Sequence, residues 1–265
     1  MRVNNKLLVV LLLLGSVALS GCGLPAVKKL QARDYLNKGV TQFSKQKYDA
    51  AAQFFQKSLE LDPVFEIARM YLATAYMSQF IPGSTDPRND QVANQAIKTF
   101  EEVVANSTAD GKPNINAMLS IVSLYSQMKK FDESKEWCDR VLKVDPENAE
   151  AYYRVAVMEY DQIIDKTGLQ GEKVKDMSDE EITGLRGMIE IGLNYIANAL
   201  KTRADYHEAM EYQNLLWREK AKLETDEELK ADIIRQADMV NLESLKLRRK
   251  AQEEAARRPK TATRS

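Results

Sequence analysis

The sequence predicts an all-α protein made of stacked helical hairpins and closed by one long C-terminal helix. Three observations carry this reading. A unit recurs with its landmarks at fixed spacing, from 32 to 65 and again from 115 to 148, as in Tyr48-Asp49-Ala50-Ala51 and Phe131-Asp132-Glu133-Ser134. Within each unit the apolar residues return every three or four positions, the period of a helix with one buried face. Chain breakers fall between these runs, at Pro63, from Pro82 to Pro87 and at Pro146, where a helix must stop.

The front of the chain stands apart. Arg2 and Lys6 precede an unbroken apolar run from Leu7 to Leu14, and small residues follow as far as Gly21. A charged start, a short apolar core and a small-residue exit describe a cleaved secretory signal over residues 1–21. The apolar run is shorter than the ~20 residues a membrane-spanning helix needs. Residues 22–31 are expected as a tether, with Gly23 and Pro25 ahead of the first helix.

Hairpins follow over 32–224. The first unit places Tyr35, Gly39 and Phe43 on one helix and Ala51, Phe54, Phe55, Ser58 and Leu59 on the next. Gly39 and Ala51 are small where two helices must approach closely. A second unit opens at Glu66 with Tyr71, Leu72, Ala75 and Tyr76. The breaker cluster then predicts a long elbow over 78–95, with the helix resuming at Ala96. The third unit runs through 115–148 without interruption. Tyr152, Val155 and Ala156 open the fourth, whose elbow is expected over 161–187 and whose second helix is expected from Gly187 to Lys201. His207 to Trp217 reads as the start of a fifth hairpin. Over 225–258 a final capping helix is expected, with Ile233, Ile234, Ala237, Val240, Leu242 and Leu245 inward and a polar outer face. Residues 259–265 are expected as a disordered basic tail.

Two resemblances attach to these residues. Tyr35-x3-Gly39, Phe55-x2-Ser58-Leu59 and Leu61-Asp62-Pro63, matched by Cys138-x2-Val141-Leu142 and Val144-Asp145-Pro146, resemble the tetratricopeptide repeat of about 34 residues. Val122 and Asn214 depart from it, standing where the family has a small residue. The resemblance implies a superhelical solenoid whose product is a binding surface for a protein or peptide. Leu19-Ser20-Gly21-Cys22 resembles the bacterial lipobox, which implies lipidation of Cys22 and removal of the leader. Several acyl chains anchor stably, so the chain is expected on a membrane of the cell envelope. Gly23 in place of Asp favours the outer membrane, facing the periplasm. The Gln79-Phe80-Ile81-Pro82-Gly83 elbow and the helix from Glu208 to Ala221 also look like those of bacterial tetratricopeptide lipoproteins.

The composition gives catalysis little to work with. Removing residues 1–21 leaves 36 Lys and Arg against 39 Asp and Glu, a modest balance that argues against nucleic acid as partner. His207 is the single histidine, and no cluster of His, Cys and carboxylates has metal-ligand spacing. Asp179-Glu180-Glu181 and Asp226-Glu227-Glu228 read as acidic first turns of helices, favoured by the helix dipole. Gly184 and Gly187 lack the spacing and Lys of a phosphate loop. No enzyme activity, cofactor or metal is expected. With Cys22 lipidated, Cys138 has no disulfide partner and reads as a small buried hydrophobe.

In tetratricopeptide proteins the first helix of each hairpin lines the concave groove. By that register Arg33, Phe43, Met70, Thr74, Met77, Asn116, Ser123, Gln127, Tyr153 and Tyr160 are expected toward it, with packing in the core as the alternative for each. Met and Tyr offer large, adaptable contact area. The positions used by the family's carboxylate clamp hold Leu36, Val40, Thr74, Leu119 and Ser123, so no such clamp is expected. Basic residues in Arg248-Arg249-Lys250 and Arg257-Arg258 read as a solvated helix end, with anionic lipid as the alternative. The functional expectation is a periplasmic scaffold, serving secretion or pilus assembly or recruiting cell-wall enzymes. A small-molecule or lipid carrier with the long elbows as a lid is the alternative.

Overall fold

The computed structural model describes residues 23–109, 111 and 113–257, all in helices and their connections. The residues read as a leader and lipobox, Leu19, Ser20, Gly21 and Cys22 among them, and the 259–265 tail lie outside the described residues. The chain divides into two compact units, Met1–Met128 and Lys129–Ser265.

The first unit holds α1 (Gly23–Ser44), α2 (Tyr48–Leu61), α3 (Glu66–Met77), α4 (Pro87–Ala109) and α5 (Ile115–Gln127). Helix α1 begins earlier than expected, running through the segment read as a tether. Pro25 falls in the first turn, where its missing N–H costs no helical bond, and Ala26, Lys28, Lys29, Leu30 and Gln31 are sound helix formers. Ala51, Ala52, Phe55, Leu72 and Ala75 form the core between α1, α2 and α3, sealed by Leu36, Val40 and Phe43. Ser58 ties the pair by donating to the Ala32 carbonyl at 2.7 Å.

The first elbow covers 78–86, shorter than expected, because α4 starts at Pro87 and not at Ala96. Asp86 accepts a hydrogen bond from the Arg88 amide at 2.9 Å and caps the helix. Buried Asn89 then pins the elbow, accepting from the Ile81 amide at 2.8 Å and donating to the Ile81 carbonyl at 2.9 Å.

The second unit holds α6 (Phe131–Val144), α7 (Ala149–Thr167), α8 (Asp179–Thr202), α9 (His207–Lys222) and α10 (Glu227–Arg257). Ile163, Leu185, Ile189, Ile196, Tyr206 and Leu216 lie in its core. The second elbow is also shorter than expected, at 168–178, and contains one 3₁₀ turn, Val174–Asp176. Helix α8 begins with a capping box in which the Ser178 hydroxyl accepts from the Glu181 amide and the Glu181 carboxylate accepts from the Ser178 amide. Lys222 holds the elbow, donating to the Leu169 carbonyl at 2.9 Å and to buried Glu219 at 2.7 Å. On α10 only part of the expected inner face is inward. Ile233 and Ala237 are buried, whereas Leu242 and Leu245 are exposed, because the helix turns its buried stripe through Ser244 instead.

Candidate functional site

In the first unit, α1, α3 and α5 supply the expected groove residues. Arg33 and Asn116 stand exposed, and their side chains make no hydrogen bond or ion pair among the described residues. Phe43 packs inward, its ring centroid 5.1 Å from Tyr48 and 6.4 Å from Tyr71. It is half-buried and serves the core as much as any surface. Thr74 spends its hydroxyl on the Met70 carbonyl at 2.8 Å, and Gln127 donates to the Ser123 hydroxyl at 2.9 Å. Met77 is half-buried. Met70 lines an apolar cleft of about 300 Å³ together with Ile67, Tyr71, Val103 and Asn114. Ile67 and Tyr71 are exposed there, and sequence reasoning did not select them for the site.

The second unit brings expected residues together most clearly. Tyr153 and Tyr160 lie two turns apart on α7, and Tyr212 of α9 sits against both. The Tyr153–Tyr212 and Tyr160–Tyr212 ring centroids are each 5.5 Å apart, with interplanar angles of 82° and 89°. Edge-to-face contacts of this kind fix ring orientation. All three rings are half-buried. Tyr206 extends the cluster, 5.0 Å from Tyr153, while its hydroxyl donates to Glu150 at 2.5 Å and the Arg203 guanidinium covers its ring at 3.1 Å.

The electrostatics of this face are acidic. Burial raises the pKa of Tyr153, with Tyr212, Glu150 and Glu208 adding to it. Burial likewise raises Tyr212, and the Asp161 charge adds to it. Asp161 follows Tyr160 on α7 and is itself raised by burial and by Asp165. Tyr212, Tyr206 and Asp161 are site residues that sequence reasoning missed. The spacing of neither helix marks a contact made between the two, so the sequence held no signal for them.

Among the described residues, no group of three His, Cys, Asp or Glu converges as a metal site. Two further clefts lie at the elbows. One of about 440 Å³ is lined by Tyr48, Asp49, Gln79, Ile81 and Arg88, and one of about 490 Å³ by Lys166, Met177, Glu181, Leu185 and Met188.

Comparison with known proteins bears on the hairpins directly. Family models described as tetratricopeptide repeat match residues 32–65 and 115–148. A crystal structure of MamA superposes with a TM-score of 0.54 at 15% identity, covering 88% of this chain and 98% of that one. The chain has the tetratricopeptide-repeat fold. MamA from Desulfovibrio magneticus RS-1, from residue 41 to its end, aligns with a TM-score of 0.53 at 12% identity, over 83% of this chain and 96% of that one. No curated protein sequence matches the chain. At such identities the likeness speaks for the fold. Repeats of this type are generally interaction scaffolds and not catalysts, their first helices offering side chains to a partner.

Proposed function

We propose that this chain is a lipid-anchored scaffold of a bacterial cell envelope, holding a protein or peptide against the face that carries Tyr153, Tyr160 and Tyr212. That tyrosine face is the observation supporting the reading. Three rings, with Tyr212 held nearly at right angles to each of the other two, give broad contact area with few rotatable bonds, and each keeps a polar tip. In the first unit the cleft beside Met70 offers an apolar side chain a second seat.

The anchor rests on Leu19-Ser20-Gly21-Cys22, with Cys22 taking the acyl chains and Gly23 directing the protein to the outer membrane, facing the periplasm. In that setting the scaffold serves assembly of a secretion or pilus complex, or recruits cell-wall enzymes. A carrier role has less support, since it needs mobile lids. The two elbows are short and pinned, one by Asn89 and the other by Lys222.

The test is crosslinking in living cells with a C-terminally tagged, Cys22-intact protein, followed by mass spectrometry. One dominant envelope protein is expected, lost in a Tyr153→Ala/Tyr160→Ala variant that keeps its helical content. Capture that ignores the double substitution would remove this face from the function. Metabolic labelling with a palmitate analogue, lost in Cys22→Ser, tests the anchor separately.

A further inference from the structure

The outer face of α10 carries an apolar strip where a capping helix should be polar. Met239, Leu242 and Leu245 are 73%, 56% and 42% exposed. At about 100° per residue they form one strip on the side of the helix away from buried Ile233, Ala237 and Ser244. A contiguous exposed strip of this kind marks a contact surface.

We propose that the occupant is a second copy of this chain, with α10 packed antiparallel on α10 about a two-fold axis passing at Leu242. A two-fold interface uses the same patch twice, so residues equally far from the axis on opposite sides must suit each other. Within four residues of Leu242 they do. Met239 of one copy meets Leu245 of the other, and Asp238 meets Lys246. Further out, Arg235 of one copy faces Arg249 of the other, a like-charged pair that Glu253 and Asp232, about one turn away, flank with opposite charge. The centre is apolar and the rim is mixed, its charges summing to zero.

That neutrality selects the occupant. A helix bound to an anionic lipid surface needs an excess of Lys and Arg around its apolar strip. A parallel pairing would set Asp238 on Asp238 and Lys246 on Lys246. In a single copy these charges have local partners: Asp238 with Arg218 at 2.5 Å, Lys246 with Glu243 at 3.2 Å, Arg249 with Glu253 at 3.1 Å, and Arg235 with Asp232. All are solvent-facing pairs, each contributing at most about 1 kcal/mol, so exchanging partners costs little.

The experiment is oxidative crosslinking of the full chain in detergent extracts, with Leu242→Cys, Arg249→Cys and the unsubstituted protein run side by side. Leu242→Cys is expected to give a disulfide-linked homodimer. Arg249→Cys should give roughly tenfold less, because two-fold symmetry puts those positions about 20 Å apart along the helices. Asp238→Lys or Lys246→Asp added to Leu242→Cys should each cut the yield several-fold, and the two together should restore it. A Leu242→Cys protein whose new thiol reacts with maleimide yet forms no dimer overturns the proposal. So does equal crosslinking at 242 and 249, the result of a parallel pair. A monomer that binds anionic phosphatidylglycerol vesicles through the strip, with binding lost in Leu242→Asp, would assign the face to lipid instead.

Discussion

Gln46 and Lys129 occupy the same place in two repeats, two residues before the second helix, and both hold φ at +58°. The Gln46 amide donates to the Phe43 carbonyl at 2.8 Å, and the turn then brings Lys47 to the start of α2. A side chain in this left-handed region costs about 1–2 kcal/mol relative to an ordinary helical residue.

Glycine should therefore improve the first turn. Gln46→Gly is expected to stabilise the protein by up to about 1 kcal/mol, part of the relief being offset by the freer unfolded chain. Lys129→Gly should gain less, because it also removes the Lys129–Asp165 ion pair at 2.9 Å. Urea denaturation of the two variants checks both the sign and the order.

Gly39 is required by contact, not by backbone angle. A β-carbon there would stand 2.6 Å from Cδ1 of Phe55, a fully buried ring. Overpacking of this kind costs about 1–3 kcal/mol, which outweighs the roughly 1 kcal/mol an Ala gains in a helix. Gly39→Ala should be destabilising. Gly192→Ala should cost less, since the nearest atom is a Leu216 methyl at 3.0 Å on a side chain that can turn away. Equal effects would mean that Phe55 also moves freely.

The repeats with intact landmarks were the legible ones. Pro63 and Pro146 mark helix ends in plain text, and Tyr35, Gly39, Phe55 and Cys138 mark which faces meet. The two elbows read longer than they are for a local reason. Pro87 reads as a breaker, although the first helical position is where proline is favoured, and the elbow drawn over 161–187 runs past Asp179-Glu180-Glu181, although that acidic first turn and the Ser178-x-x-Glu181 capping box mark a helix start. On α10 Leu242 and Leu245 read as core, because helical period gives a stripe but not which way it turns. At the site, Tyr153 and Tyr160 could be read from one helix. Tyr212 could not, since a contact between helices leaves no mark in the spacing of either.

Cys138 is fully buried on α6, and burial pushes its thiol up to about 12. The nucleophile is the thiolate, so the native thiol should be inert near pH 8. Maleimide or iodoacetamide is expected to leave Cys138 unmodified in folded protein and to label it fully in urea. Labelling under native conditions at a rate near that of a free thiol would show that α6 opens readily.

Glu219 is buried and accepts from the Thr167 hydroxyl at 2.9 Å and the Lys222 ammonium at 2.7 Å. Lys222→Met would leave that carboxylate without its cation, a loss that costs about 3–5 kcal/mol in buried pairs. It would also free the Gly168 and Leu169 carbonyls that Lys222 now holds. Hydrogen exchange in 168–173 should speed up ahead of the rest of the unit. Glu219→Gln should be milder, because an amide oxygen still accepts from Thr167.

Asp161 gives a pH prediction of opposite sign to an ion-paired carboxylate. Its folded pKa is raised from 3.8, first by burial and then by Asp165, with Lys129 opposing. The folded state thus binds this proton more tightly than the unfolded state does. Stability is lost as pH rises from the unfolded value through the raised folded one, and the adverse contribution is complete above it. Asp161→Asn removes the charge and keeps the shape, so the variant should be more stable than the parent at neutral pH. The gain should vanish near pH 3, where both carry a neutral side chain. Urea midpoints at the two pH values measure it. An Asn variant less stable at neutral pH would mean that the ionised carboxylate is favoured in the folded protein and has a partner on the tyrosine face.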